Sequence, residues 1–127
     1  MKSLADLFAD SYALVALLEG NERYVRIFRR KVIVTSSLNL LEVYSTLLRR
    51  FDRDESRELT AVITSMIAPV PSEVAYAAGE FRQFMRSQRR DCSYIDAWGY
   101  ASARHFGIPF LTGDPAFRNV EMVEFVR

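Results

Sequence analysis

Apolar and polar positions along this chain fall in short blocks that switch between a strand-like and a helix-like period. Residues 4–9 (LADLFA) read as a first strand, broken in pattern by Asp6, and Val32-Ile33-Val34-Thr35 as a buried β-branched one. Between them, Ser11–Leu18 has the apolar density of a helix ended by Gly20, and residues 21–30 form a second helix rich in arginine. Ser36 or Ser37 can cap a helix over 38–50, and Asp54 opens another that runs to residue 67. Ala68-Pro69-Val70-Pro71 is a short strand whose prolines suit a sheet edge. Ser72 caps a long helix to residue 89, and Ser93 starts one over 94–106 that ends at Gly107, before Pro109. Phe110-Leu111-Thr112 is a strand leading to the turn Gly113-Asp114-Pro115, and residues 122–126 (MVEFV) make a last strand.

Strands alternating with helices predict an α/β fold with a mostly parallel sheet covered on both faces. In such sheets the working site lies beyond the carboxyl ends of the strands, near a switch in strand order. The 127 residues, with no linker, repeat or low-complexity tract, predict a single domain over 1–127. No apolar run approaches the ~18 residues of a membrane span. Asp6 and Asp10 interrupt the apolar N-terminal stretch, which argues against a signal peptide and makes a cytoplasmic protein the default. One cysteine and one histidine exclude a disulfide framework, a cysteine zinc cluster and a multi-histidine metal site. Cys92 reads as inert, and His105, late in its helix, as a cation suited to the helix dipole.

The net charge of +1 points to no partner, but its distribution does. Fifteen of the 17 basic residues are arginine, bunched at Arg23/Arg26/Arg29/Arg30, Arg49/Arg50/Arg53/Arg57 and Arg82/Arg86/Arg89/Arg90. Arginine forks match phosphate oxygens well; the plainer reading of each cluster is a solvated helix face. Arg82, Arg86 and Arg89 have helical spacing and are candidates for tracking an RNA backbone, with Arg23/Arg26/Arg30 an equal alternative.

Four carboxylates stand where chemistry is expected. Asp10 follows the first strand and Asp114 the Phe110–Thr112 strand, while Asp96 lies in the first turn of the helix before that strand. Glu42 interrupts the apolar run Leu38–Leu48, with Asn39 and Thr46 on its face. Asp10 can instead cap the next helix, Asp96 can form a capping box with Ser93, and Asp114 before Pro115 is a common turn residue. Glu42 has the weakest structural explanation, because a carboxylate in an apolar helix needs a reason. None of the four has a basic neighbour in sequence. At ~5 Å and an effective dielectric of ~20, each such pair costs about 3 kcal/mol, which a divalent cation relieves. All-oxygen ligands suit Mg²⁺ or Mn²⁺, the ions that commonly serve phosphodiester hydrolysis.

Asp10-Ser11, Glu42 within Leu40-Leu41-Glu42-Val43, Ser93-Tyr94-Ile95-Asp96-Ala97 and Phe110-Leu111-Thr112-Gly113-Asp114-Pro115-Ala116-Phe117 together resemble the PIN domain family. More narrowly they resemble the VapC-like toxins, over nearly the whole chain. The resemblance implies a three-layer α/β/α fold with a five-stranded parallel sheet of order 3-2-1-4-5. It implies Mg²⁺- or Mn²⁺-dependent ribonuclease activity, an antitoxin protein that masks the site, and a homodimer. Asp10, Glu42, Asp96 and Asp114 match the acidic set; Ser11 and Thr112 match supporting hydroxyls, with Asn39 beside them. Many relatives carry a further acid where Ala116 stands, so a second metal is held weakly if at all. A PIN nuclease outside a toxin pair and a non-catalytic binding module are the alternatives. Tyr94, Trp98 and Tyr100 read as core or rim, and Tyr94, if exposed, can stack an RNA base.

Overall fold

The computed structural model describes residues 4–127. Among them, β1 (Leu7–Ala9), β2 (Ile33–Val34), β3 (Phe110–Thr112) and β4 (Val123–Phe125) form one all-parallel sheet in the order β2-β1-β3-β4. The helices are α1 (Ser11–Leu18), α2 (Glu22–Arg30), α3 (Ser37–Leu47), α4 (Arg53–Thr64), α5 (Val74–Ser87) and α6 (Tyr94–Phe106), with a 3₁₀ turn at Pro115–Phe117. Successive strand residues point to opposite faces. Leu7, Ala9 and Leu111 therefore meet Leu14, Tyr24, Val43 and Ile63 from α1–α4, while Phe8 and Phe110 meet Val74, Met85, Ala97 and Tyr100 from α5 and α6. Each cluster buries one face of the sheet, and burial of apolar area is the main stabilising term.

The sheet has four strands rather than the expected five. Residues 68–71 form no strand; a single parallel bridge joins Thr35 to Ile67 on the outer side of β2. There Thr35 N–H donates to Met66 O and Ala68 N–H to Thr35 O, each at 3.0 Å. Pro69 and Pro71 have no N–H to extend the ladder. Likewise β1 begins at Leu7 rather than Leu4, because the exposed Asp6 turns its carboxylate to accept from Val32 N–H at 2.7 Å. Two caps also differ from expectation. α4 is capped by Asp52, which accepts from Glu55 N–H at 2.8 Å, and α5 has no side-chain cap at all. On α3 and α4, Leu47 and Ile63 are core residues, while Leu48, Leu59 and Val62 are exposed.

The site is positioned by the sheet order. From β1 the chain crosses to β2 on one side, and β3 later pairs on the other side of β1. The order thus reverses beside β1, which opens a crevice at the carboxyl ends of β1 and β3. Two glycines let the walls approach. A Cβ at Gly99 would stand 3.0 Å from the Phe110 ring, so α6 lies close on the sheet. A Cβ at Gly113 would overlap the Tyr12 ring and the Val126 carbonyl, so only glycine fits between Thr112 and Asp114. The strand β4 is held from outside: Tyr24 O–H donates to Val126 O, and the Arg127 guanidinium donates to Gly113 O at 3.2 Å.

Candidate active site

Asp10 follows β1 directly and is the N-cap of α1, its Oδ1 accepting from Ala13 N–H at 2.8 Å. Its Oδ2 accepts a short hydrogen bond from the Thr112 hydroxyl at the end of β3. The residue is 2% exposed, and its backbone N–H donates to Leu111 O at 3.1 Å. Burial pushes the Asp10 carboxyl up to about 7, against the pull of the Thr112 and Ala13 bonds; the charges of Asp96 and Asp114 push the same way as burial. Capping and chemistry are not alternatives at this position, since one oxygen caps the helix while the carboxylate also feels the charges of Asp96 and Asp114.

The Thr112 hydroxyl also accepts from Asp114 N–H at 3.0 Å, so one buried side chain ties Asp10 to Asp114. The half-buried Asp114 caps the 3₁₀ turn, Oδ1 accepting from Ala116 N–H at 3.0 Å. Asp96 forms the full capping box: Ser93 Oγ accepts from Asp96 N–H, and Asp96 Oδ2 accepts from Ser93 N–H, both at 3.0 Å. Its carboxyl is raised above the usual range by burial, with Asp114 and Glu42 adding repulsion. Glu42 is half-buried on α3, and no hydrogen bond or ion pair reaches its carboxylate among the described residues. The four acids are thus linked by mutual repulsion: Asp10 with Asp96 and Asp114, and Asp96 with Asp114 and Glu42.

Asn39 is buried at 1% exposure and joins the supporting residues. Its Nδ2 donates to Ser11 Oγ at 3.2 Å, and its Oδ1 accepts from Ser36 Oγ at 2.6 Å. Ser36, expected only as a cap, therefore also fixes the amide that holds Ser11. A β-strand end followed by Ser-Ser-x-Asn offered that signal in the sequence.

α5 ends at Ser87 rather than at the expected residue 89, and Arg89, left-handed at φ +57°, lies off the helical stripe of Arg82 and Arg86, so these arginines divide. The half-buried Arg82 donates from Nε to Cys92 O at 2.9 Å and lies over the Tyr94 ring. Arg86 and Arg89 are exposed, and with Arg82, Arg90 and Asp91 they line a cavity of about 430 Å³. Arg90 donates to Ala116 O at 2.8 Å and Arg118 O at 2.6 Å, which fastens this basic segment to the loop that follows Asp114. The Cys92 thiol is buried and pushed up to about 12, mainly by burial, so it is no nucleophile at neutral pH.

Among the described residues the only ion pair is Arg104–Glu121, at 3.8 Å, so no site carboxylate is neutralised by the protein. Nor do three acidic, histidine or cysteine side chains converge into a ready-made metal cage among those residues. The donor chemistry still fits a hard cation: the donors are oxygen only, Asp96 and Asp114 each keep a carboxylate oxygen outside their capping bonds, and Glu42 keeps both. Mg²⁺ is commonly held by one or two carboxylates, with waters and phosphates completing its shell.

A parallel sheet whose order reverses over an acidic crevice, stitched by Thr112 and flanked by arginines, defines a class that comparison identifies directly. The PIN domain family model matches residues 7–122, and the chain belongs to the PIN domain family. Solved structures resembling it include VapC20 of Mycobacterium tuberculosis, described as a Sarcin-Ricin loop cleaving toxin. It shares 26% identity and a TM-score of 0.75, over 96% of this chain and 99% of that one. VapBC2 of Rickettsia felis, bound to a DNA fragment from its promoter, has a TM-score of 0.74 at 12% identity, over 94% and 96% of the two chains. VapBC-1 of nontypeable Haemophilus influenzae has a TM-score of 0.72 at 12% identity, over the same shares. Among curated proteins none matches the chain.

Proposed function

We infer that this chain is a divalent-metal-dependent endoribonuclease, the toxin of a VapBC-type pair. The observation that carries the reading is the mutual repulsion of Asp10, Asp96, Asp114 and Glu42, none of which has a cationic partner among the described residues. The chain's likeness to VapC20, a Sarcin-Ricin loop cleaving toxin at 26% identity, supports RNA as the substrate, and the similar fold in a toxin-antitoxin complex from Klebsiella pneumoniae supports an antitoxin protein as partner.

Asp10, Asp96, Asp114 and Glu42 would hold Mg²⁺ or Mn²⁺. When bound, such an ion lowers the pKa of a water and offsets the charge that builds on a phosphodiester during in-line attack. The chain's own residues prepare for this. The Thr112 hydroxyl fixes the Asp10 carboxylate and the Asp114 backbone together. The Ser93 cap orients Asp96, and Asn39 holds the Ser11 hydroxyl toward the same end of the sheet. Arg86 and Arg89 bind the RNA backbone, where arginine forks give charge and geometry without reading sequence. A second copy covers the exposed Leu41, Leu48, Leu59 and Val62 of α3 and α4.

The test is cleavage of structured RNAs with and without Mn²⁺, by the wild type and by Asp10→Asn and Asp96→Asn. Cleavage is expected only with the ion and only in the wild type, since losing a ligand removes several kcal/mol of transition-state stabilisation. Retention of about a tenth or more of the activity by both variants overturns the assignment.

A further inference from the structure

Tyr94 opens α6 two residues before Asp96, and the residue is 76% exposed. The Arg82 guanidinium lies over one face of its ring, 4.1 Å from the centroid, a close cation–π distance. Arg82 is itself held, because its Nε–H donates to Cys92 O at 2.9 Å. No other aromatic ring touches Tyr94 among the described residues. An exposed ring gains little from burial, and fixing its rotamer loses entropy. Here a half-buried arginine fixes it all the same, in the helical turn that also carries Asp96 and with most of the residue open to solvent. The same arginine lines the cavity shared by Arg86, Arg89 and Arg90. A flat open ring next to a positive groove is how proteins hold unpaired nucleotides: the ring takes a base and the groove takes phosphates. A base stacked and paired inside a duplex has no free face to offer.

We propose that Tyr94, held by Arg82, is a stacking platform that engages one unpaired base of the RNA next to the acidic site. The inference rests on the nuclease reading and deepens it. The platform makes a single-stranded segment the preferred substrate, and it makes Arg82 a positioning residue for the ring while Arg86 and Arg89 meet the backbone.

The experiment uses the full chain and short RNA oligonucleotides carrying 2-aminopurine, in single-stranded and fully paired forms. Binding is read by anisotropy and by quenching of the fluorescent base with divalent ions chelated, and cleavage is read separately with Mn²⁺. The wild type and Tyr94→Phe are expected to bind single strands equally and to quench. Tyr94→Leu, at an exposed position that does not disturb the core, is expected to bind about tenfold more weakly and to lose the quenching. Its binding should keep the wild-type slope with salt, because no phosphate contact is removed. Arg82→Gln should reduce the quenching as well, with the ring retained but no longer held. Equal binding by wild type and Tyr94→Leu, with cleavage intact, overturns the platform and leaves the nuclease reading standing. An equal loss on paired RNA also overturns the platform, since no unpaired base is then involved. Failure of the wild type to bind or cleave any RNA overturns both readings.

Discussion

A buried carboxylate with a carboxyl pKa near 7 is the residue on which this site turns. Asp10 is ordinary when unfolded, near 3.8, and is raised to about 7 by burial in the fold. A raised carboxyl favours folding in its protonated form. Its contribution to stability is full below about pH 4 and is lost as the pH rises through about 7, a change on the order of 4 kcal/mol. Asp96 shifts in the same direction. With divalent ions chelated, the wild type should therefore melt at a higher temperature at pH 5 than at pH 8, and Asp10→Asn should show a much flatter profile. Thermal melts across that range decide it, and an equally steep profile in the variant would remove Asp10 as the cause. Excess Mn²⁺ should raise the melting temperature of the wild type at pH 8 and leave that of the variant nearly unchanged. Asp10, Asp96 and Asp114 were visible in the sequence because each follows a strand or opens a helix, where side chains reach a sheet's end. The resemblance named Thr112 as a supporting hydroxyl, but the burial of Asp10 and the bond by which Thr112 joins it to Asp114 were not visible, since Asp10 and Thr112 are 102 positions apart.

At the scale of elements, the end of α5 carries a conflict between backbone and side chain. Arg89 has φ of +57°, the left-handed conformation in which glycine is at ease and a longer residue is strained. Arg89→Gly is expected to stabilise the fold by up to about 1 kcal/mol in denaturant unfolding. The same variant should bind RNA more weakly and with a flatter salt dependence. A gain in stability with RNA binding unchanged would leave Arg89 without a role in the groove. The element pattern was readable where periodicity and caps agreed, as for α6, with Ser93 at one end and left-handed Gly107 at the other. It failed where local signals competed with tertiary pairing. Val70 sits in a β-like run, yet its flanking prolines cannot pair, so the ladder stops at Ile67. The apolar run Leu38–Leu48 showed in the sequence, but which apolar residues of α3 and α4 face the core depends on how the two helices pack. That packing puts Leu47 and Ile63 inside.

For the whole molecule, the exposed stripe on α3 and α4 sets the expected assembly. Leu41 is 57% exposed and Val62 49%, and Leu41 lines a groove of about 530 Å³ with Leu40, Tyr44 and Ala61. A symmetric pair buries the same patch on both copies. Light scattering at micromolar concentration should report twice 14.6 kDa for the wild type. Leu41→Glu with Val62→Glu should report the single mass while keeping the helical circular dichroism of the parent. A wild type of single mass would send these leucines back to ordinary surface. Alternating strands and helices made the layered, parallel architecture legible without any contact information. The reversal of order beside β1, which decides where the acids meet, rested on resemblance, because periodicity carries no strand order.

That reversal also has a consequence in time. The central partners β1 and β3 are separated by almost the whole chain, with Phe8 paired to Phe110 and Ala9 to Leu111. A ribosome adding ~5–20 residues per second leaves about 5–20 s between making Asp10 and making Asp114. Throughout that interval α1–α4 and the edge at β2 can form local contacts, but the crevice has only one wall. Closing a loop of this length is slow compared with forming helices. The nascent chain therefore carries Asp10 and Glu42 without Thr112 or Asp114 until β3 and the turn after it have been added. Under the nuclease proposal, the order of the strands delays the appearance of a working site until the strand that carries Thr112 and the turn that carries Asp114 have been made.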